Sequence, residues 1–572
     1  VISVRRMQCI EVTFLEYREV FMKIRQVSNL KKIRQEAPEN IEQIEAITAL
    51  PGERVSYQMV LENEERAQFR VEAVSPIAGQ VKVYLVRDVV MDQPAIEEGL
   101  EEEDYLSLEP GMMRDVLVPL AEQGFQVSVS KQRTVLWVRI DAREDLEAGS
   151  YLVTMRFTKE KQPWETDADV TVEETTMELT VLSCRMPEQK LHYTRWFYAD
   201  CIAAQHNVEI YSEEHWTWIE KYLAAAADAG INMILVPIHT PPLDTAVGTT
   251  RPCVQLVDIE KTGETYHFDF TKFRRFIEIC KRNGIQYFEM AHLFSQWGAK
   301  CAANIQVTEN GEKTYRFGWH TPADSPEYTA FLRQYLGAIE QELVREGISE
   351  NTYFHISDEP SRDQMESYRA ASEMIRSLIG DSKTMDALSD YDFYEQGLVE
   401  CPVTGVAKIT EFLQHGIENQ WVYYCCYPGK IYPNSFMAMP SRRVRILGFL
   451  LYKFQIKGFL HWGFNFYHSQ LSRYPINPYL TTSADHAFPS GDGFIVYPGK
   501  DAVYPSIRGE IMYEAIQDLR ICEALEAKIG RTAVTALIDE KAGAPLTFEQ
   551  YPKTDAFLEE LRAEFLGRLE SC

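Results

Sequence analysis

Tyr353-Phe354-His355-Ile356-Ser357-Asp358-Glu359-Pro360-Ser361 joins an apolar, strand-like run directly to two consecutive acids. Upstream of it the chain reads as a helix, Pro326 to Glu346, then Gly347, then the strand Thr352 to Ser357. Glycine just past a helix adopts the left-handed conformation that ends it, and a short apolar run after it suits a strand covered on both faces. The same grammar recurs nearby, with helix Glu213 to Ala229, Gly230 and strand Ile231 to Pro237, then helix Phe273 to Asn283, Gly284 and strand Ile285 to Ala291. Adding His192 to Asp200, Lys383 to Leu388, Pro402 to Ala407, Trp421 to Tyr427 and Gly458 to Trp462 gives eight strands. Eight strands with intervening helices over about 300 residues predict an α/β fold, a (β/α)8 TIM-like barrel. No Gly-rich phosphate loop follows any of them, which disfavours a dinucleotide-binding open sheet.

Before the barrel the dominant period is two. Val55 to Leu61, Phe69 to Val74, Val135 to Ile140 and Leu152 to Phe157 alternate apolar and polar residues between Gly, Pro and acidic turns. This predicts an all-β, immunoglobulin-like antiparallel sandwich with one wet face per sheet. After the barrel, helical patterns run over Ser506 to Lys528 and Thr554 to Glu570, the latter with Phe557, Leu561, Phe565 and Leu569 on one face. The expected division is a sandwich over 1–188, a catalytic barrel over 189–530 and a helical tail over 531–572 packed on the barrel.

The 572 residues carry 58 Lys plus Arg against 85 Asp plus Glu, a net charge of -27. Such a field repels phosphate backbones and anionic lipid, so nucleic acid and membrane surfaces are not expected partners. The apolar runs fall far short of the roughly 20 residues that a spanning helix needs. Val1 to Gln8 carries Arg5 and Arg6 but no apolar h-region, so no signal peptide is expected there. The 11 Cys lack C-x-x-C spacing, and Cys425 and Cys426 fall in an apolar run. Reduced, buried thiols and a cytoplasmic location are the expectation.

In barrels the C-terminal strand ends face the active site, which places Asp358 and Glu359 where catalytic groups sit. Asp and Glu also suit helix starts, but Ser361 and Gln364 form an S-x-x-Q capping box that would begin the next helix without them. Two carboxyl groups can supply the acid and the stabilising group that glycoside hydrolysis requires, and close neighbours repel so that one stays protonated near neutral pH. Trp196, Trp421 and Trp462, placed near strand ends, offer indole faces for sugar C–H groups. Tyr424 and Asn465 are candidate hydrogen-bonding partners, and Arg508 has a structural role as its first expectation. His239, His292, His355 and His461 also fall near strand ends. They lack H-x-H or H-E-x-x-H spacing, so no metal and no cofactor is expected, and His239 and His292 are candidate sugar contacts.

The acidic pair resembles that of glycoside hydrolase family 123. The likeness extends to Gly458-Phe459-Leu460-His461-Trp462-Gly463, Gly491-Asp492-Gly493, Tyr497-Pro498-Gly499 and Ser506-Ile507-Arg508. The resemblance implies a retaining β-N-acetylgalactosaminidase acting on an oligosaccharide or glycoconjugate, in which the substrate's own 2-acetamido oxygen is the nucleophile. It implies Asp358 as the residue that orients the acetamido group and Glu359 as general acid and base. A glycosidase for a sugar without the acetamido group, with Asp358 as nucleophile, and a silent sugar-binding protein remain as alternatives.

Overall fold

The computed structural model describes residues 22–35, 41–96, 104–160, 171–380 and 382–571. The segment Val1 to Gln8 read above lies outside them. Ten strands come first: β1 (Lys23–Ser28), β2 (Ala46–Ala49), β3 (Arg54–Glu62), β4 (Ala67–Val74), β5 (Val81–Met91), β6 (Gly111–Pro119), β7 (Gln126–Val129), β8 (Thr134–Asp141), β9 (Gly149–Lys159) and β10 (Val172–Val181). They form two five-stranded sheets, in the orders β1-β3-β8-β5-β6 and β2-β10-β9-β4-β7. Pairing is antiparallel except between β2 and β10, which run parallel.

Alternation along the strands divides side chains between two cores. Met59 on β3 and Leu136 and Val138 on β8 join the interior shared by the two sheets, while Val60, Val135 and Trp137 join the core that includes the barrel. The first sheet is therefore covered on both faces. This corrects the expectation of one wet face per sheet: an alternating pattern reports two environments, and here the second one is another part of the protein.

The barrel closes as β11 (His192–Arg195), β12 (Met233–Val236), β15 (Tyr287–Met290), β18 (Thr352–Phe354), β19 (Lys383–Leu388), β20 (Cys401–Gly405), β21 (Trp421–Tyr423) and β22 (Gly458–His461), all parallel. These are the eight strands read from the sequence, several of them shorter than expected: the first ends at Arg195, with Ala199–His206 helical, the fourth at Phe354 rather than Ser357, and the seventh at Tyr423 rather than Tyr427. The missing numbers belong to insertions at the barrel mouth: β13 (Asp258–Thr262) and β14 (Thr265–Asp269) follow β12, and β16 (Ile305–Glu309) and β17 (Glu312–Phe317) follow β15. Together they make a four-stranded sheet. The helices between strands are unequal, from 21 residues at Pro326–Glu346 to one turn at Asp392–Glu395.

Helix Ile507–Ile529 is largely buried, and Arg531–Ala542 and Asp555–Ser571 follow it. The last helix touches both neighbours: Phe565 packs on Phe449 with centroids 6.0 Å apart, while Glu559 accepts the Ser28 hydroxyl at 2.6 Å. The tail bridges sandwich and barrel rather than lying on the barrel alone. No helix among the described residues is long and apolar enough to cross a membrane.

Candidate active site

Asp358 and Glu359 leave the end of β18 and enter a cleft of about 200 Å³ at the barrel mouth. Ser361 and Gln364 do close the capping box, with Gln364 Oε1 accepting the Ser361 N–H at 3.0 Å, so both acids stand outside the helix. Glu359 has φ +41°, a left-handed conformation that costs energy for a residue with a Cβ. Asp244, Trp297 and Ala299 in the facing loops share it, with φ of +39°, +61° and +53°. Strain of this kind persists only where the surroundings fix it, and it gathers at working sites. The fixing contacts are visible here: the Trp297 N–H donates to the Asp358 carbonyl at 3.0 Å, the Ala299 N–H to Ser357 Oγ at 3.1 Å, and Ser367 Oγ to the Gly298 carbonyl at 2.7 Å.

Glu359 is exposed to the cleft, and its Oε1 accepts the Tyr423 hydroxyl at 2.5 Å from the end of β21. Asp358 is half-buried beside it. Burial and the neighbouring charges of Glu359, Asp386 and Asp244 push its carboxyl well above the usual carboxylate range, with His355 pulling the other way. Asp244, across the cleft, is raised to about 6 by burial, against the Leu471 N–H that it accepts at 2.8 Å.

Indoles form the walls. Trp462 donates Nε1 to the buried Asp492 at 2.8 Å, Trp196 donates Nε1 to Glu289 at 3.1 Å, and Trp297 is 44 % exposed at the rim. Residues 196–525, more than half of the chain, match the family model for the glycoside hydrolase 123 catalytic domain. The chain belongs to glycoside hydrolase family 123. Among solved structures it is similar to a family 123 glycoside hydrolase from Clostridium perfringens, described for glycolipid glycan hydrolysis, at 15 % identity over 96 % of this chain and 98 % of that one, with a TM-score of 0.69. A Thermobacillus composti GH10 xylanase aligns at 11 % identity over 57 % of this chain and 97 % of that one, TM-score 0.30. No curated protein matches the sequence.

Of the residues singled out from the family 123 sequence, Asp358, Glu359, Trp196 and Trp462 meet in the cleft and five others do not. Trp421 begins β21 rather than ending it, and its indole fills the closed end of the barrel over Gly458, beside His192 and Tyr353. Tyr424 points away, packed on Phe459 and His461 with centroids 4.9 and 5.5 Å apart. Asn465 clamps the backbone of Tyr198, accepting its N–H at 2.9 Å and donating to its carbonyl at 3.1 Å. His239 and His292 are fully buried below the cleft: His239 donates Nε2 to the His292 carbonyl at 2.8 Å, and burial holds it near 4 and therefore neutral. Alternation along a strand decides the direction of each side chain, and a shift of one residue in reading a strand end moves it from cleft to core.

The structure adds Tyr423, Asp244, Gln296, Trp297 and the thiols Cys425 and Cys426, whose Sγ atoms stand 4.0 Å apart on the cleft wall. The two thiols are half-buried, which corrects their reading as core residues. Tyr423 was within reach of sequence reasoning, since it lies within a recognised strand; Asp244 and Trp297 lie in irregular loops that carry no periodic signal.

Among the described residues two groups bring metal-ligand atoms within 4.8 Å, Asp200-Cys201-His468 and His292-His355-Asp386. In the first, Arg251 donates to both carboxylate oxygens of Asp200. In the second, both nitrogens of His355 face carboxylates, at 2.7 Å from Glu289 and 3.2 Å from Asp386. His355 is thus committed to its two carboxylates and Asp200 to Arg251 and His468, while both ring nitrogens of His292 are buried without a hydrogen-bond partner among the described residues. Arg508 pairs with Asp115 of β6 at 2.9 Å and donates to the Gly491 carbonyl at 2.6 Å, the structural role expected of it.

Proposed function

We propose that the chain removes a terminal β-linked N-acetylgalactosamine, or a related 2-acetamido sugar, with retention of configuration and with the acetamido oxygen as nucleophile. The observation that carries this reading is the adjacency of Asp358 and Glu359 in one cleft, the first half-buried among acids and the second exposed and held by Tyr423. Like charges this close repel, so the charge of Glu359 opposes ionisation of Asp358. With the proton on Glu359, that residue can protonate the glycosidic oxygen as the acetamido oxygen closes on the anomeric carbon. The Asp358 anion then accepts the acetamido N–H, whose nitrogen gains positive character as the oxazolinium ring forms. Glu359, now ionised, takes a proton from the water that opens this ring. Desolvation that disfavours the Asp358 anion in the empty cleft makes it most responsive to the positive charge that arrives with the reaction. Trp462 and Trp196 supply apolar faces for the sugar ring.

The Clostridium perfringens enzyme is described for glycolipid glycans; for this chain the proposed substrate is an oligosaccharide or glycoconjugate bearing the acetamido sugar at its end. A panel of chromogenic β-glycosides tests the reading: N-acetylgalactosaminide, N-acetylglucosaminide, galactoside and glucoside. Turnover restricted to acetamido sugars is expected. Turnover of the galactoside or glucoside at a comparable rate would assign Asp358 as a direct nucleophile instead, and binding without turnover of any would make the chain a sugar-binding protein.

A further inference from the structure

Beneath the cleft the barrel holds ionisable groups that none of the steps above uses. His355 follows β18, Glu289 lies on β15 and Asp386 on β19, and all three are fully buried. His355 directs Nε2 at Glu289 Oε2, 2.7 Å away, and Nδ1 at Asp386 Oδ1, 3.2 Å away. An imidazole between two carboxylates donates at both nitrogens, which is the imidazolium form.

From this ring the contacts run to the cleft in two directions. Glu289 also accepts the indole N–H of Trp196 at 3.1 Å and the hydroxyl of Thr194 on β11. Asp386 accepts the backbone N–H groups of Ile356 at 3.1 Å and Ser357 at 3.3 Å, together with the Tyr368 hydroxyl at 2.6 Å. One acid therefore fixes a wall of the cleft and the other fixes the peptide that delivers Asp358.

We propose that His355 is a positioning residue, the buried cation that ties Trp196 to the end of β18 and against which Asp358 ionises. The role rests on the reaction proposed above. The charges that face Asp358 are Glu359, Asp386 and Asp244, which oppose its ionisation, and His355, which favours it. Burial works against a charge on His355, and its hydrogen bonds to Asp386 and Glu289 overcome that penalty and raise it to about 9. His292, stacked on it with centroids 4.2 Å apart, is held far below the usual imidazole range by burial and by the charge of His355, so it adds no second cation.

The test uses the full chain and two variants, His355→Gln and Glu289→Gln. The second removes a carboxylate partner of the ring; with its amide oxygen in the place of Oε2 it still accepts the Trp196 N–H, and the Thr194 hydroxyl, which donates to Oε1 in the parent, can accept from the amide instead. Infrared difference titration of the carboxyl band that disappears in Asp358→Asn follows Asp358 without any turnover, and the acid limb of kcat/KM on an acetamido glycoside follows it in the reaction. Weakening the cation raises the proton affinity of Asp358, so its midpoint moves to higher pH in both variants. On the acid limb kcat/KM falls about tenfold, one pH unit's worth, and the plateau above it is kept. A merely structural role would lower kcat/KM evenly across the pH range. An unmoved infrared midpoint in a variant whose near-ultraviolet circular dichroism matches the parent overturns the proposal. If His355→Gln does not fold, Glu289→Gln decides alone. If the parent fails to turn over acetamido sugars while the infrared midpoint shifts as stated, the reaction is wrong and the electrostatic role of His355 stands.

Discussion

Tyr423 donates its hydroxyl to Glu359 at 2.5 Å from a strand three places around the barrel from the one that carries the acid. Burial, followed by the charge of Glu359, pushes the phenol well above its ordinary range, so it stays a donor throughout the working pH range. The bond fixes the rotamer of the proposed acid and stabilises its anion once the proton has gone. Tyr423→Phe forfeits one hydrogen bond to a charged group, roughly 1.5–3 kcal/mol, or about 10- to 100-fold in kcat. Steady-state kinetics with an aryl acetamido glycoside check this; an unchanged kcat would detach Tyr423 from catalysis.

Glu359→Gln keeps the shape of the side chain and removes the transferable proton. Turnover of glycosides with poor leaving groups falls roughly 10²- to 10⁴-fold, the usual worth of a general acid. Activated aryl glycosides, whose leaving groups need little protonation, lose far less in the glycosylation step. A uniform loss across leaving groups of different acidity would remove Glu359 from the acid role.

Asp358→Asn retains the hydrogen-bonding shape but not the charge that faces the developing oxazolinium. A loss of about 10²- to 10³-fold in kcat is expected, with a thiazoline analogue of the acetamido sugar inhibiting the parent and binding the variant more weakly. The competing assignment has a direct readout: a slow fluorosugar that leaves a covalent adduct on Asp358, detected by mass spectrometry, would make this residue the nucleophile.

Asp244 bears on the pH profile. Its anion faces Asp358 and raises the proton affinity of that carboxyl, and Asp244 itself titrates at about 6. Removing the charge lets Asp358 ionise at lower pH, so Asp244→Asn shifts the acid limb of kcat/KM downward, the opposite direction to His355→Gln. The amide oxygen can still accept the Leu471 N–H. A limb that moves upward, or stays fixed, contradicts the electrostatic picture of the cleft.

Arg508→Met breaks a fully buried ion pair and leaves Asp115 with the Tyr497 hydroxyl at 2.7 Å and the more distant charge of buried Lys32. The expected cost is about 3–5 kcal/mol, seen as a lower apparent Tm and a lower denaturant midpoint. The double variant Arg508→Met with Asp115→Leu should recover much of the loss, because no orphaned charge remains; failure to recover would show that packing rather than charge dominates this contact.

The barrel was legible because its strands are short apolar runs after helix-ending glycines, a pattern that burial on both faces imposes. Asp358 and Glu359 were legible because two acids after such a run have no packing reason to be there. Trp421 and Tyr424 were misplaced because a short strand buried on both sides carries no alternation to show where it ends or which side chains face the cleft: Trp421 starts the strand, at the closed end of the barrel, and the strand stops at Tyr423, before Tyr424. Asp244 and Trp297 escaped because their positions depend on strained loop backbone and on contacts with distant segments. The two-sided burial of the first sandwich sheet escaped because alternation does not say what covers a face.

Asp92, just past the end of β5, accepts the hydroxyls of Thr482 at 2.9 Å, Ser483 at 2.8 Å and Ser490 at 3.0 Å, and Asp115 grips Arg508, which in turn holds the Gly491 carbonyl. The loop so gripped presents Asp492 to Trp462. Part of the cleft wall is thus shaped by a domain whose described residues line none of the cleft itself. The sandwich acts as a mould for this loop, so a change at its strand ends would reach the cleft wall through Trp462. An isolated barrel would keep both acids and lose the contacts that hold this wall of the cleft in place.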